Sequence, residues 1–380
     1  MARIKVALIS EAMTGGIYEH VRQILEHVDR DRFDVSVICS TLRDSRVEPE
    51  LEKFCAAGMA VVRVPMQRSI SPWHDYRCYR RIMWELRVRR FDVVHTHGSK
   101  GGVLGRLAAS RSPGARVLHT GHSFPIQWAR GPKRAFYAAV ERRACRQTRL
   151  VLALTQAQRE MLIDARICPP EKTIVVPNAA DLPVLPGPEE RRSARRALGL
   201  DTSEPVIAMV GRMVTQKHPL LFVQTVRLIA EARPNVRAVW IGDGPLREAA
   251  EQAAAREGIL GTNLLLAREQ NNARLLFSAF DVFLMTTRWE GMSYSVLEAM
   301  ASGVPVVAVD VPGMNEIVQQ DVTGKLAPPD AAELAAATLE LLGDPDKRAA
   351  FGARARYRIE ERHSVHGFIS TLENLYAGRI

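Results

Sequence analysis

Short apolar runs alternate with longer amphipathic stretches along almost the whole chain, and this alternation restricts the fold more than any other feature. The first half carries the runs IKVALIS (4–10), DVSVICS (34–40), AVVRVP (60–65), DVVHTH (92–97), RVLHTGH (116–122), LVLALT (150–155) and TIVVPN (173–178). Most are near-continuous Val/Ile/Leu blocks bounded by polar residues, the mark of strands buried on both faces. Helical patterns fill the gaps at 17–29, 72–90, 101–111, 132–147 and 156–166. Such alternation predicts a parallel sheet with right-handed crossovers. DLPVLPGPEE (181–190), with three prolines and a glycine, breaks the pattern and reads as a linker. The pattern then restarts with PVIAMVG (205–211), VRAVWIG (236–242), NLLLA (263–267), VFLMTT (282–287) and PVVAVD (305–310). Helices are expected at 217–232, 245–257, 271–279, 293–302 and 330–342. A chain of 380 residues has room for two such α/β domains.

Composition removes several alternatives. With 47% hydrophobic and 25% charged residues the chain has material for real cores and is not disordered. No run approaches the ~20 apolar residues of a spanning helix. The first apolar run stops at Ile9, too short for a signal-peptide core, so the cytoplasm is the expected compartment. Five scattered cysteines, none in C-x2-C spacing, predict inert thiols rather than a disulfide framework or zinc knuckle. The net charge of +10 is uneven: residues 51–150 carry 20 Lys+Arg against 5 Asp+Glu. In the helix 72–90, Trp73, Tyr76, Tyr79, Met83 and Leu86 recur at roughly helical spacing. Arg77, Arg80, Arg81, Arg87, Arg89 and Arg90 flank them. This helix reads either as core packing with a solvated basic side or as an interfacial helix on an anionic membrane surface. No nucleic-acid motif accompanies the charge, so nucleic acid is not an expected partner.

Parallel sheets bind ligands at the carboxyl ends of their strands. Gly15 and Gly16 follow the first run and open a helix, where backbone amides can approach an anion. Arg212 and Lys217 follow the strand 205–210 and can converge on one anion. Glu290 follows the run 282–287 at the strand end, Gly291 permits a turn, Ser293 is a candidate N-cap, and Glu298 lies on the next helix. The amides from Gly291 through Met292, Ser293, Tyr294 and Ser295 form a second cradle, and the two carboxylates suit hydroxyl-rich groups. His95, His97, His119 and His122 all fall near strand ends. A metal at His95 and His97 lacks sequence-adjacent partners, and His122 is the better site residue. Asp29 and Asp31 read as a solvated turn.

Together these blocks resemble the retaining GT-B glycosyltransferases of the family-4 type, over nearly the whole chain. The similarity rests on VGRMVTQKHP (210–219), IGDGPLRE (241–248) and FDVFLMTTRWEGMSYSVLEAMASGVPVVAVDVPGMNEIV (280–318), which contains the E-x7-E pair Glu290 and Glu298. DVVHTHGSKGGVLGRLAA (92–109), TGHSF (120–124) and VVPN (175–178) match in the first half. The resemblance implies an α/β, GT-B fold of two doubly wound Rossmann-like domains facing across a cleft. It sets an acceptor-side domain at 1–184, a nucleotide-sugar domain at 185–363 and a C-terminal helix within 364–380 packing back on the first. It implies transfer of a hexose or N-acetylhexosamine, from a UDP-sugar, to a hydroxyl acceptor in polysaccharide or glycolipid synthesis. No cofactor or metal is expected. Arg212 and Lys217 would hold the diphosphate and Glu298 the ribose. Glu290 with the amides from Gly291 to Ser295 would hold the transferred sugar, and Gly15 and Gly16 would border the diphosphate. His122 would sit near the reacting carbon and His97 on the acceptor side. His122, Glu290, Arg212 and Lys217 form the implied catalytic set. Two positions depart from the family pattern: Ala179-Ala180 replaces Gly-Val after Pro177-Asn178, and Ala267-Arg268 replaces a glycine turn. A related synthase or phosphorylase, or a non-enzymatic basic binding module, are the rival readings.

Overall fold

The computed structural model describes residues 2–112, 114–200, 204–268 and 276–379. The chain divides into two units: Met1–Asn178 with Val365–Ile380, and Ala179–Ser364. The first crossing thus lies six residues before the expected 184/185 division.

The first unit holds seven strands: β1 (Ile4–Ser10), β2 (Phe33–Cys39), β3 (Ala60–Arg63), β4 (Val93–His97), β5 (Arg116–Thr120), β6 (Leu150–Ala153) and β7 (Thr173–Val175). They pair in parallel in the order β3-β2-β1-β4-β5-β6-β7. Helices α1 (Gly15–His27), α2 (Glu48–Ala56), α3 (Pro72–Arg89), α4 (Ser99–Ala109), α5 (Gly131–Cys145) and α6 (Gln156–Asp164) are the crossovers. Glycines at 101, 102 and 105 let α4 lie flat on the sheet. A Cβ at Gly101 would stand 2.7 Å from the Glu11 amide nitrogen, and one at Gly105 would stand 2.6 Å from Thr96 Cγ2. The helix Val365–Ala377 belongs to this unit, where Tyr376 hydroxyl meets His95 Nδ1 at 2.8 Å.

The second unit holds β8 (Val206–Val210), β9 (Arg237–Ile241), β10 (Leu264–Ala267), β11 (Val282–Met285), β12 (Val306–Val309) and β13 (Gly324–Ala327). Their order is β10-β9-β8-β11-β12-β13, again all parallel. The helices include α7 (Pro188–Ala197), α8 (Pro219–Ala232), α9 (Arg247–Arg256) and the segment Tyr294–Ala301. Both units are therefore doubly wound Rossmann-like sheets with one change of winding direction, at β1/β4 and at β8/β11.

Several elements differ from the sequence reading. The expected linker 181–190 already contains the start of α7, whose Pro188 sits in the first turn with Glu189 and Glu190. Proline tolerates that position, and the acids complement the helix dipole. The strand β13, GKLA, is too short and mixed to stand out. The expected helix 271–279 lies mostly outside the described residues; Phe277–Ala279 forms a 3-10 turn. The expectation of five inert thiols is corrected: Cys145, ending α5, is bonded to Cys168, their Cα atoms 6.1 Å apart. Both lie in the apolar cluster of Phe124, Ile126, Val151 and Leu162, so tertiary packing pairs cysteines that are 23 residues apart.

Candidate functional site

In a doubly wound sheet, the loops at the winding reversal splay apart and leave a crevice at the strand ends. In the second unit these are the loops after β8 and β11. The loop after β8 passes through Gly211 (φ 153°) and returns to α8 at His218, itself left-handed at φ 52°. It is pinned to the loop after β9 by Gly211 N–H to Ile241 O (2.9 Å) and Met213 N–H to Asp243 O (2.9 Å). The Trp240 indole N–H adds a bond to Gly211 O at 2.7 Å. This approach requires glycine at 242, because a Cβ there would stand 2.2 Å from Gly211 O.

The loop after β11 is bound to the same structure. Thr286 hydroxyl donates to Lys217 O at 2.9 Å, Thr287 hydroxyl to Gln216 O at 3.1 Å, and Gln216 Nε2 to Trp289 O at 2.9 Å. These bonds bring Lys217 Nζ and Glu290 Oε1 into an ion pair, with only 14% and 8% of their side chains exposed. The same Thr287 hydroxyl oxygen lies 3.2 Å from Glu290 Oε1, an alternative acceptor for its one proton. Glu290 is thus a fixed acceptor and Lys217 a fixed cation. Ser293 occupies the N-cap position of Tyr294–Ala301 in extended geometry, but its hydroxyl makes no cap bond and meets Ser295 Oγ at 3.1 Å. Gly291, Met292, Ser293 and Tyr294 are buried, Glu298 is half-buried on the helix, and Arg212 is exposed. The amides beginning this helix carry partial positive charge.

The corresponding strand ends of the first unit gather histidines. His20 of α1, His97 ending β4 and His122 after β5 place ligand-type nitrogens within 4.8 Å of one another. His20 Nδ1 pairs with Asn178 Oδ1 at 3.1 Å, and His122 Nε2 lies 3.4 Å from His97 Nδ1. Burial drives the His20 pKa down to about 4, and holds His95, His97, His119 and His122 well below the ordinary value, with neighbouring imidazoles adding to the effect. All five rings are neutral at physiological pH. His122 has φ 57°, a costly conformation for a non-glycine residue. Gly121 before it leaves room for the Phe124 ring, which would stand 2.2 Å from a Cβ. Gly15 (φ 54°) and Gly16 are exposed at the start of α1.

Comparison with known proteins bears on the family and the fold. Residues 14–183 match the model of Glycosyltransferase Family 4, and residues 190–358 match that of Glycosyl transferases group 1. The chain is 33% identical to the alpha-maltose-1-phosphate synthase of Mycolicibacterium smegmatis, over 74% of this chain and 78% of that one. The chain belongs to the family-4-type GT-B glycosyltransferases. It is also 29% identical to the UDP-Gal:alpha-D-GlcNAc-diphosphoundecaprenol alpha-1,3-galactosyltransferase of Escherichia coli, over 86% of this chain and 84% of that one. The structure of Anabaena Alr3699/HepE in complex with UDP-glucose superposes with a TM-score of 0.83 at 21% identity, covering 99% of this chain and all of the other.

Within this glycosyltransferase the expected donor residues of the second unit cluster at one winding reversal. Lys217 and Glu290, expected to act separately, contact each other. His97 and His122 join a cluster that also includes His20, which sequence reasoning passed over. His95 is a packing residue, bonded at both nitrogens, to Tyr376 and Thr120. Thr286, Thr287 and Gln216 were also missed. Their only signal was position, directly after β11 and directly before Lys217. Asp29 and Asp31 form a local turn, with Asp31 N–H to Asp29 Oδ1 at 3.0 Å. Ala179 has no left-handed φ, and Ala180 N–H bonds His363 O at 3.0 Å. Arg268 pairs with Asp243 at 3.4 Å.

Proposed function

We propose that the chain transfers a hexose or N-acetylhexosamine from a UDP-sugar to a hydroxyl of a glycan or lipid-linked acceptor, with retention of anomeric configuration and without a metal. The observation that carries this reading is the buried Lys217–Glu290 pair at the β8/β11 reversal. A cation and an acceptor held side by side match the two halves of a sugar diphosphate.

In this reading Lys217 and the exposed Arg212 take the diphosphate, and Glu298 takes the ribose hydroxyls. Glu290 and the amides from Gly291 through Met292, Ser293 and Tyr294 to Ser295 take the sugar hydroxyls. As the glycosidic bond breaks, negative charge grows on the leaving phosphate, and preorganised cations stabilise it. A phosphate oxygen accepts the proton of the attacking hydroxyl on the same face. By the family resemblance His122, neutral and left-handed at φ 57°, would hydrogen-bond the donor sugar, His97 would serve the acceptor, and Gly15 with Gly16 would border the diphosphate. The E. coli relative, named for a UDP-Gal donor and a diphosphoundecaprenol acceptor, supports both substrate classes.

The test is release of UDP from a panel of UDP-sugars with lipid-linked and soluble acceptors, the product configuration being read by NMR. An α-linked product from an α-linked donor, unaffected by a chelator, is expected. Inverted product, or activity restored to a chelated enzyme only by added divalent ions, overturns the corresponding part.

A further inference from the structure

We propose that the outer face of α3, together with the adjoining start of α5, docks this chain on an anionic lipid bilayer. The inner face of α3 is accounted for: Cys78, Ile82 and Leu86 lie in the core of the first unit, with Tyr79 and Met83 packed against it. The outer face is not. Trp73, Tyr76, Trp84 and Val88 are exposed, Trp73 by 72%. At 100° per residue they share an arc of about 140° with Arg77, Arg80, Arg81 and Arg87. These arginines are exposed, and no acidic residue falls in that arc. Glu85, the acid nearest to it, is buried and paired with Arg81 and Arg89.

A second apolar group continues the surface. Ile70, just before α3, lines a hollow of about 440 Å³ with Trp128, Pro132, Lys133, Phe136 and Tyr137. Ile70, Trp128 and Phe136 are exposed, beside the exposed Arg130, Lys133 and Arg134. Seven of the fifteen large exposed apolar side chains among the described residues thus lie within 70–136. That stretch is also inside the most basic part of the chain. Such side chains oppose water, and only a surface both apolar and negative satisfies the whole patch. A bilayer with anionic headgroups does so: the rings enter the interface and the guanidinium groups meet phosphates. A nucleic acid would use the cations and some rings but leave Ile70 and Val88 unsatisfied. This inference does not depend on the donor assignment, since vesicle binding is measured without nucleotide.

The experiment is flotation of the 380-residue chain with vesicles of phosphatidylcholine alone, or of phosphatidylcholine and phosphatidylglycerol in equal parts, at low and high salt. Flotation with the anionic vesicles, weakened by salt, and a blue shift of tryptophan emission are expected. Arg77→Glu with Arg80→Glu should lower the partition coefficient by more than tenfold, since each surface cation contributes about fivefold. Trp73→Ser with Trp84→Ser should abolish the blue shift, whereas Arg192→Glu on α7 should change nothing. The thermal midpoint of each variant reports folding; if the α3 variants fail to fold, Lys133→Glu with Phe136→Ser tests the same surface from α5. No flotation with anionic vesicles, flotation indifferent to these substitutions, or tighter binding to single-stranded RNA than to vesicles would overturn the proposal.

Discussion

Lys217 is held by distant segments as well as by its own turn, in which its N–H bonds Val214 O at 2.9 Å. The hydroxyls of Thr286 and Thr287 fix the backbone of Gln216 and Lys217, and Glu290 fixes the ammonium. Lys217→Ala removes the cation that pairs with the buried Glu290 carboxylate. Loss of a charge-stabilising group typically costs about 2–4 kcal/mol in the transition state. Turnover of the variant should therefore fall by roughly a hundredfold or more, read as initial UDP release; near-normal turnover would remove the diphosphate role. Glu298 behaves differently, being half-buried on a helix surface. Glu298→Ala should weaken nucleotide binding by about tenfold, one or two hydrogen bonds to a charged acceptor, while the unfolding midpoint stays put. Calorimetric titration with UDP is the readout, and unchanged affinity argues against ribose contact.

At the scale of elements, glycine decides how closely the loops of the second unit approach. Gly242 has φ 147°, and a Cβ would meet Gly211 O at 2.2 Å; both are backbone, so neither can rotate away. Gly242→Ala should destabilise by about 2–4 kcal/mol, combining backbone strain with overpacking. Gly258 provides the contrast, with φ 70° and open space around its Cβ position. Gly258→Ala should cost only about 1–2 kcal/mol, the left-handed penalty alone. Urea unfolding of the two variants separates the terms, and equal losses would show that the close approach contributes nothing. The elements missing from the sequence reading have related causes. In α7, RRSARRA shows little apolar face, and its proline resembles linker punctuation until its first-turn position is known. The four residues of β13 carry too little alternation to register against noise.

For the whole molecule, the buried histidines tie stability to pH. In the unfolded chain His20 titrates near 6.5, whereas in the folded chain it is lowered to about 4. Above the unfolded value both states are neutral and stability is complete. As pH falls below about 6.5 the unfolded chain takes up a proton that the folded one refuses, and stability declines until the folded pKa is passed. The loss for His20 alone is on the order of 3 kcal/mol, at about 1.4 kcal/mol per pH unit. His95, His97, His119 and His122, lowered in the same direction, steepen it. Chemical unfolding between pH 7.5 and 4.5 should show this decline, and His20→Gln should make it shallower by the His20 share; a flat profile in the unsubstituted chain would mean that these rings titrate normally. Among the described residues no helix is long and apolar enough to cross a membrane.

The repeated strand–helix pattern by itself determined the two parallel sheets, because burying a sheet on both faces demands continuous apolar runs and amphipathic crossovers. It also located the strand-end residues Arg212, Lys217, Glu290 and His122, since each lies at or a few residues past the end of such a run. Only tertiary structure decided which of these meet. The Lys217–Glu290 pair spans 73 residues, His20 reaches Asn178 across 158, and Cys145 finds Cys168 through packing of α5. The outward turn of Trp73 and Tyr76 was likewise open, because spacing defines a helical stripe but not which side a sheet will cover. Local sequence sets periodicity and strand ends; contacts between distant segments depend on strand order, which no local pattern encodes.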